Sequence, residues 1–186
     1  MAPERTDEEL MGAYVGGDAG AFRVLFDRYA PVLLRVARRN VGSDTEAKDV
    51  VQQTFLQMHR ARADFRQGAR LRPWLFTIAL NLAREVHRRR GRRRETDFDE
   101  AGAERATEAP ATIGEGDAEV RRVRAALEAL PAGQREVIVL HWLEGRSFPE
   151  VASIVGASVT AVKVRAHRGY ERLRATLGRT RQEKEE

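Results

Sequence analysis

Eleven residues, Arg84 to Arg94, contain seven arginines (Arg84, Arg88, Arg89, Arg90, Arg92, Arg93 and Arg94) opposed by one acid, Glu85. A guanidinium is a planar fork of donors that suits phosphate oxygens and guanine edges, so the chemistry on offer is polyanion binding. A second basic set lies nearer the C-terminus, where Lys163, Arg165, His167 and Arg168 recur with Thr160 and Val164. Catalytic chemistry finds no comparable cluster. His59, His87, His141 and His167 are scattered, with no His-x-x-x-His pair, and there is neither a Gly-rich phosphate loop nor a Ser nucleophile elbow. The residues therefore point away from an enzyme and give no sign of a cofactor, a metal or a small-molecule substrate.

Composition agrees. One third of the 186 residues are charged, the formal net charge is +5, and nearly all the basic residues are Arg. The pI of about 10.2 makes a polyanionic partner the first expectation. With no cysteine, disulfides and cysteine–metal sites are excluded, which fits a reducing compartment. The start, MAPERTDEEL, is acidic and lacks an apolar signal core, and no apolar run reaches the length of a membrane span. These features predict a cytoplasmic protein without direct membrane insertion.

The elements that must position the basic residues read as helices, with no strand-period segment and no tandem repeat. Thr6-Asp7-Glu8-Glu9 is a capping box before Leu10, Met11 and Tyr14. After Gly16 and Gly17, Asp18 caps a helix carrying Phe22, Leu25, Phe26, Tyr29, Leu33, Val36 and Ala37, with Pro31 inside the pattern. Ser43-Asp44-Thr45-Glu46 predicts another capping box, followed by Val50, Val51, Thr54, Phe55 and Met58. Residues 63–70 read as a loop. A further helix begins near Pro73, with Leu75, Ile78, Leu82 and Val86 as the predicted core stripe. Four such helices make a bundle. Between Glu95 and Glu119 the chain carries nine acids against Arg105, a composition that reads as a flexible linker. Helical spacing resumes at Val120, Val123, Leu127 and Leu130, and again over Gln134 to Leu143. The expected fold class is all-α: two small helical domains, 1–94 and 120–178, joined by an acidic linker at 95–119 and followed by a polar tail at 179–186.

The most specific pattern is SFPEVASIVGASVTAVKVRAHRGYERLR. Ser147 to Glu150 is a capping box, Val151, Ile154 and Val155 are the buried side of a short helix, and Gly156 permits a tight turn. Ser158 caps a second helix, with Val159, Val162, Ala166, Tyr170, Leu173 and Leu177 on its apolar back. Thr160, Lys163, Val164, His167 and Arg168 form the front, with Arg165 at its edge. This is a helix-turn-helix, whose second helix fits a major groove; an ordinary αα-hairpin with a solvated basic face is the bland reading.

The stretch from Leu127 to Arg174 resembles region 4 of bacterial sigma factors of the extracytoplasmic-function group, the smallest members of the sigma-70 family. Leu130-Pro131, Arg135, the run Gly145-x-Ser147-Phe148-x-Glu150-Val151-Ala152, Gly156-x-Ser158 and Val162-Lys163-x-Arg165 carry the likeness. Tyr29, Ala47-x-Asp49-Val50-Val51-Gln52-x-Thr54-Phe55, Phe65, Pro73-Trp74-Leu75-Phe76-x-Ile78-Ala79-x-Asn81 and the arginine cluster resemble region 2. Departures at Lys48, Glu85, Thr160-Ala161, Val164 and Ala166 leave the promoter sequence and the detail of the polymerase contact open.

The resemblance implies a factor that binds core RNA polymerase, through the β′ clamp helices and the β flap, and directs initiation at promoter DNA. It implies polymerase contact by Asp49, Gln52 and Gln53. It implies capture of the opened −10 element by Phe65, Trp74, Phe76, Asn81, Arg84, Arg88 and Arg89, because unstacked bases need flat apolar surfaces and the backbone needs cations. Arg146, Ser158, Thr160, Lys163, Arg165, His167 and Arg168 would read or grip the −35 element. An anti-sigma factor is a further implied partner. The acidic linker would thread the polymerase's RNA exit path, or fold back over the arginine block. Two other readings stand beside this one: a one-component helix-turn-helix regulator independent of core polymerase, which needs a dimerisation element or ligand pocket, and a helical module binding an acidic protein.

Overall fold

The computed structural model describes residues 5–66, 68–100 and 116–182. Among them eight α-helices form and no strand does. Helix α1 (Asp7–Val15) starts at the expected capping box: Thr6 Oγ1 accepts from the Glu9 amide at 3.2 Å and Glu9 Oε2 accepts from the Thr6 amide at 2.7 Å. Helix α2 (Ala19–Val41) is capped by Asp18, whose Oδ1 accepts from Ala21 N, and it runs on through Pro31. Helix α3 (Asp44–Arg60) begins at Ser43, but only half of the predicted box forms. The Glu46 carboxylate that would complete it pairs with Arg90 of α4 instead. A short 3₁₀ turn (Arg62–Asp64) leads by a loop into α4 (Leu71–Glu100).

These four helices bury Leu10, Met11, Leu25, Tyr29, Leu33, Val36, Val50, Phe55 and Met58 against α4. The buried arc of α4 differs from the predicted stripe. Leu71, Leu75, Phe76, Ala79, Leu80 and Ala83 are buried, whereas Ile78, Leu82 and Val86 are only half-buried. The cause is that α4 is covered from two directions, by α2 and α3 and by a helix of the C-terminal half. Phe26, also read as core, stays 41% exposed and lies against Phe55 with ring centroids 4.7 Å apart. Tyr29 closes the end of the bundle by donating its hydroxyl to the Asp7 carboxylate. Burial, with the neighbouring Asp7 charge, pushes that hydroxyl's pKa up to about 12.

The C-terminal half comprises α5 (Gly116–Glu128), α6 (Ala132–Ile138), a π-helical turn (Val139–Leu143), α7 (Phe148–Val155) and α8 (Val159–Gln182). Helix α4 extends through Glu100 and α5 begins at Gly116, so both ends of the stretch read as linker are helical. The remainder, 101–115, lies outside the described residues, as do the expectations for its path. The helix-turn-helix core is Val137, Leu140, Val151, Ile154, Val162 and Ala166. Gly169 sits where α8 crosses α6: a Cβ there would lie 3.0 Å from Ile138 Cγ1. Val159 and Tyr170, assigned by spacing to the apolar back of α8, are 37% and 47% exposed. Tyr170 instead stacks on the exposed Trp142 at 5.7 Å.

The two halves are packed together. Helix α7 lies on α4, while α5 and the π turn lie on α2, and the buried side chains of both halves merge into one core. A polar seam flanks it. His87 of α4 places Nε2 2.6 Å from the Asn40 carbonyl and 2.7 Å from Arg135 Nη2, so a single nitrogen stands between an acceptor and a donor. Arg135 is itself buried and donates through Nη1 to the Glu128 carbonyl at 3.0 Å. Burial first, then the charges of Arg135 and Arg90, hold the His87 pKa below the ordinary imidazole value of about 6.5; the Asn40 carbonyl and Glu46 oppose this. The unfolded chain therefore binds the proton more readily than the folded one. Stability from neutral His87 is fully present above about pH 6.5 and is lost as pH falls below it. Thermal melting followed between pH 7.5 and 5 should show a falling midpoint, with a shallower fall in His87→Gln.

Candidate nucleic-acid interface

The helix-turn-helix is built by local capping. Ser147 Oγ accepts from the Glu150 amide at 3.4 Å, and Glu150 Oε2 accepts from the Ser147 amide at 2.9 Å, which sets the entry of α7. Donation to the Glu150 carboxylate by the Ser147 hydroxyl, at 2.7 Å, and by the Ser147 amide holds that carboxyl below the usual carboxylate range. At the other end Gly156 takes φ +66°, the left-handed conformation that closes α7 and turns the chain into α8. Ser158 Oγ then accepts from Ala161 N at 3.2 Å, so its hydroxyl already serves as the α8 cap and keeps its proton for an outside acceptor. Thr160, Lys163, Val164, His167 and Arg168 are all exposed along the front of α8. Lys163 Nζ also rests 5.9 Å from the centre of the Phe148 ring. Arg165 is half-buried, with its side chain close to Gly133 at the start of α6. Arg146 is half-buried too, at the turn preceding α7.

The N-terminal candidates divide. Asn81, Arg88 and Arg89 are exposed on α4. Arg89 pairs with Glu85 at 2.8 Å, one turn back, and Arg88 reaches the same carboxylate at 4.0 Å. Phe65 and Trp74 are half-buried and face each other, with centroids 5.2 Å apart. Phe76 is only 1% exposed and packs inside the bundle, which corrects its assignment to an aromatic surface for bases. Arg84 donates through Nε and Nη2 to both oxygens of Glu136, each at 2.6 Å, and through Nη1 to Asn81 Oδ1 at 2.9 Å. Its charged form is favoured first by the Glu136 contact, against the cost of burial.

Asp49, Gln52 and Gln53 are exposed together on α3, while Val50, Val51 and Phe55 point into the core. Asp49 and Gln53 line a groove of about 390 Å³ between α3 and α4, floored by Val50, Leu82 and Val86. The half-buried state of Leu82 and Val86 thus leaves apolar surface in a trough edged by polar groups. Among the described residues no cluster of three or more His, Cys, Asp or Glu could hold a metal ion, and no helix is long and apolar enough to cross a membrane.

Sigma-70 region 2 matches residues 25–93, and sigma-70 region 4 matches residues 121–173. The chain belongs to the extracytoplasmic-function group of the sigma-70 family. It is 39% identical over 169 residues to the RNA polymerase sigma factor CarQ of Myxococcus xanthus, covering 90% of this chain and 95% of CarQ. It is 36% identical over 185 residues to the sigma factor CnrH of Cupriavidus metallidurans, covering 95% of this chain and 97% of that one. Among solved structures, CnrH in complex with the cytosolic domain of CnrY superposes with a TM-score of 0.73 at 32% identity, covering 92% of this chain and 97% of that chain. The sigma factor RpoE of Bartonella quintana, in complex with the anti-sigma factor NepR, superposes with a TM-score of 0.68 at 31% identity over 84% of this chain and 96% of that one. The one-component regulator is not favoured by these likenesses, which run along nearly the whole chain.

Within this sigma factor, spacing alone located the front of α8 and the α3 face. It missed the acids that meet the region 2 arginines. Glu144, with its side chain 4% exposed, accepts from Arg39 Nη1 at 2.6 Å and from Arg35 Nη2 at 3.1 Å. Partners more than a hundred positions apart leave no periodic trace. The capping of α7 is local and testable: Ser147→Ala should cost about 1 kcal/mol of stability, read as a lower midpoint in urea denaturation with an unchanged slope.

Proposed function

We infer that this sigma factor binds core RNA polymerase and confers promoter-specific transcription initiation on it, acting by binding rather than by catalysis and in the cytoplasm with the polymerase. Residues 1–94 serve core binding and the −10 element, and residues 120–178 serve the −35 element. The observation that carries this reading is the combination, in one chain, of a capped helix-turn-helix with an exposed basic front and a region 2 bundle whose last helix carries the arginine run from Arg84 to Arg94. Run-off transcription with core polymerase tests it. Addition of the chain should yield discrete transcripts from a cognate promoter, and none from core alone; DNA binding without any core-dependent transcript would overturn it.

The polymerase surface is the exposed face of α3, with Asp49, Gln52 and Gln53, beside the groove that Leu82 and Val86 floor. Asp49→Arg together with Gln53→Ala should weaken core binding in a titration while far-UV circular dichroism stays unchanged. Equal affinity of variant and parent would remove this face from the interface.

On the promoter side, Thr160, Lys163, Arg165, His167 and Arg168 read the −35 element, with Arg146 and Ser158 on phosphates. For the −10 element the set is Phe65, Trp74, Asn81, Arg84, Arg88 and Arg89. Arg165→Ala should cost about 1–3 kcal/mol on the cognate −35 sequence and relax specificity at one position. Arg146→Ala should weaken all sequences evenly and reduce the salt slope by about one. Unaltered discrimination by Arg165→Ala in competition binding would deny that residue a reading role. An anti-sigma factor completes the set of partners, supported by the solved relatives RpoE, bound to the anti-sigma factor NepR, and CnrH, bound to the cytosolic domain of CnrY.

A further inference from the structure

The seam between the two halves has a chemistry of its own. Two carboxylates of the C-terminal half, Glu136 and Glu144, have side chains only 3% and 4% exposed. Each is seated on arginines of the N-terminal half. Glu136 takes both prongs of the Arg84 fork at 2.6 Å, and Glu144 takes Arg39 at 2.6 Å and Arg35 at 3.1 Å. The arginine side chains remain 41%, 34% and 49% exposed, so the acids are enclosed and the cations stand at the rim. A fork met by two parallel oxygens is also the geometry of arginine on a phosphate. Backbone-to-side-chain contacts run beside these pairs: Thr77 Oγ1 lies 2.8 Å from the Ile154 carbonyl of α7.

The front of α8 takes no part. Thr160, Lys163, His167 and Arg168 are open in the same arrangement. Closure therefore acts on one DNA-binding surface and spares the other.

We propose that Glu136 and Glu144 act as built-in phosphate surrogates: in the free chain they occupy Arg84, Arg39 and Arg35, hold the two halves shut, and keep region 2 from DNA until the halves separate. The masking rests on the reading of Arg84 as a DNA contact; the closure does not. Masking is thus assigned to two acids of region 4, and the acidic stretch between the halves is not required for it.

The chain lacks cysteine, so dyes can be placed at two chosen sites. Ala63→Cys and Glu171→Cys are exposed positions on opposite halves and outside every contact named above. Energy transfer between the dyes in the full-length chain reports closure, and titration with a short mixed-sequence single-stranded DNA across a salt series reports masking. Glu136→Gln with Glu144→Gln keeps size and removes charge. It should lower the transfer efficiency, tighten DNA binding, and steepen the log–log salt slope by about 0.7 for each arginine released. Adding Arg84→Ala should take back part of that steepening. Because Glu136 is buried, a second route avoids it: Arg35→Glu with Arg39→Glu should open the chain, and adding Glu144→Arg should close it again.

Unchanged transfer in both series would overturn the lock. Lower transfer with no gain in DNA binding would overturn the masking and the role of Arg84, while a normal run-off transcript in the same variant would leave the sigma activity standing. Tighter binding with lower transfer in the first series, and rescue in the second, is the result expected.

Discussion

A carboxylate removed from water has to be given a cation in return, and in this chain the cation comes from the other half of the molecule. Glu136 and Arg84 are the clearest case, with Glu144 between Arg39 and Arg35 as the second. Breaking such a pair by removing one partner costs about 3–5 kcal/mol when both groups are buried, and less where one stands at the rim. Exposed ion pairs along helices contribute about 0–1 kcal/mol. Two enclosed acids therefore weigh more in the relative placement of the halves than the larger number of surface pairs. They also weigh on choice of arrangement: sliding the halves past one another would leave both acids dry and unpaired.

Helix α4 is the element on which the bundle core, the seam and the exposed arginines meet. Its first turns carry Leu71, Leu75, Phe76 and Leu80 into the bundle, its middle offers Thr77 and Arg84 to the C-terminal half, and its later turns carry Arg88 and Arg89 into solvent. At 1.5 Å per residue, a helix of 30 residues is a rod of about 45 Å. A rod whose first turns are core and whose later turns carry cations brings Arg89 and Arg90 to the edge of the groove that borders α3. The groove beside α3 and the exposed arginines are in this way placed by a single piece of secondary structure.

Much of this was legible in the residues. Thr6–Glu9 and Ser147–Glu150 announce helix starts because a cap is a local bargain among four residues, and both boxes form. The α3 face and the α8 front follow from 3.6-residue spacing. What spacing could not convey is coverage from a second side. Ile78, Leu82 and Val86 look like a core stripe, yet Phe76 and Ala83 are the more buried, because α7 covers a part of α4 that a lone amphipathic helix would leave wet. Tyr170 failed for the converse reason: Trp142 gives it an aromatic neighbour at the surface. The box predicted at Ser43 is half-made because Arg90, far along the chain, draws Glu46 away. Long-range charge competes with local capping, and no window of sequence holds both competitors.

The π-helical turn from Val139 to Leu143 has a consequence for register. Such a turn accommodates one residue more than an α-helical turn, and one residue is worth about 100° of rotation about the axis. Everything after it, Glu144 included, is swung by that angle relative to a continuous α6. Wound as plain α-helix with the same residues, the segment would aim Glu144 about 100° away from Arg39 and Arg35, whereas deletion of one residue, letting an α turn replace the wide one, would keep it aligned. The extra residue works as an angular offset, aligning one acid with the neighbouring half while Val139 and Leu140 stay in the core.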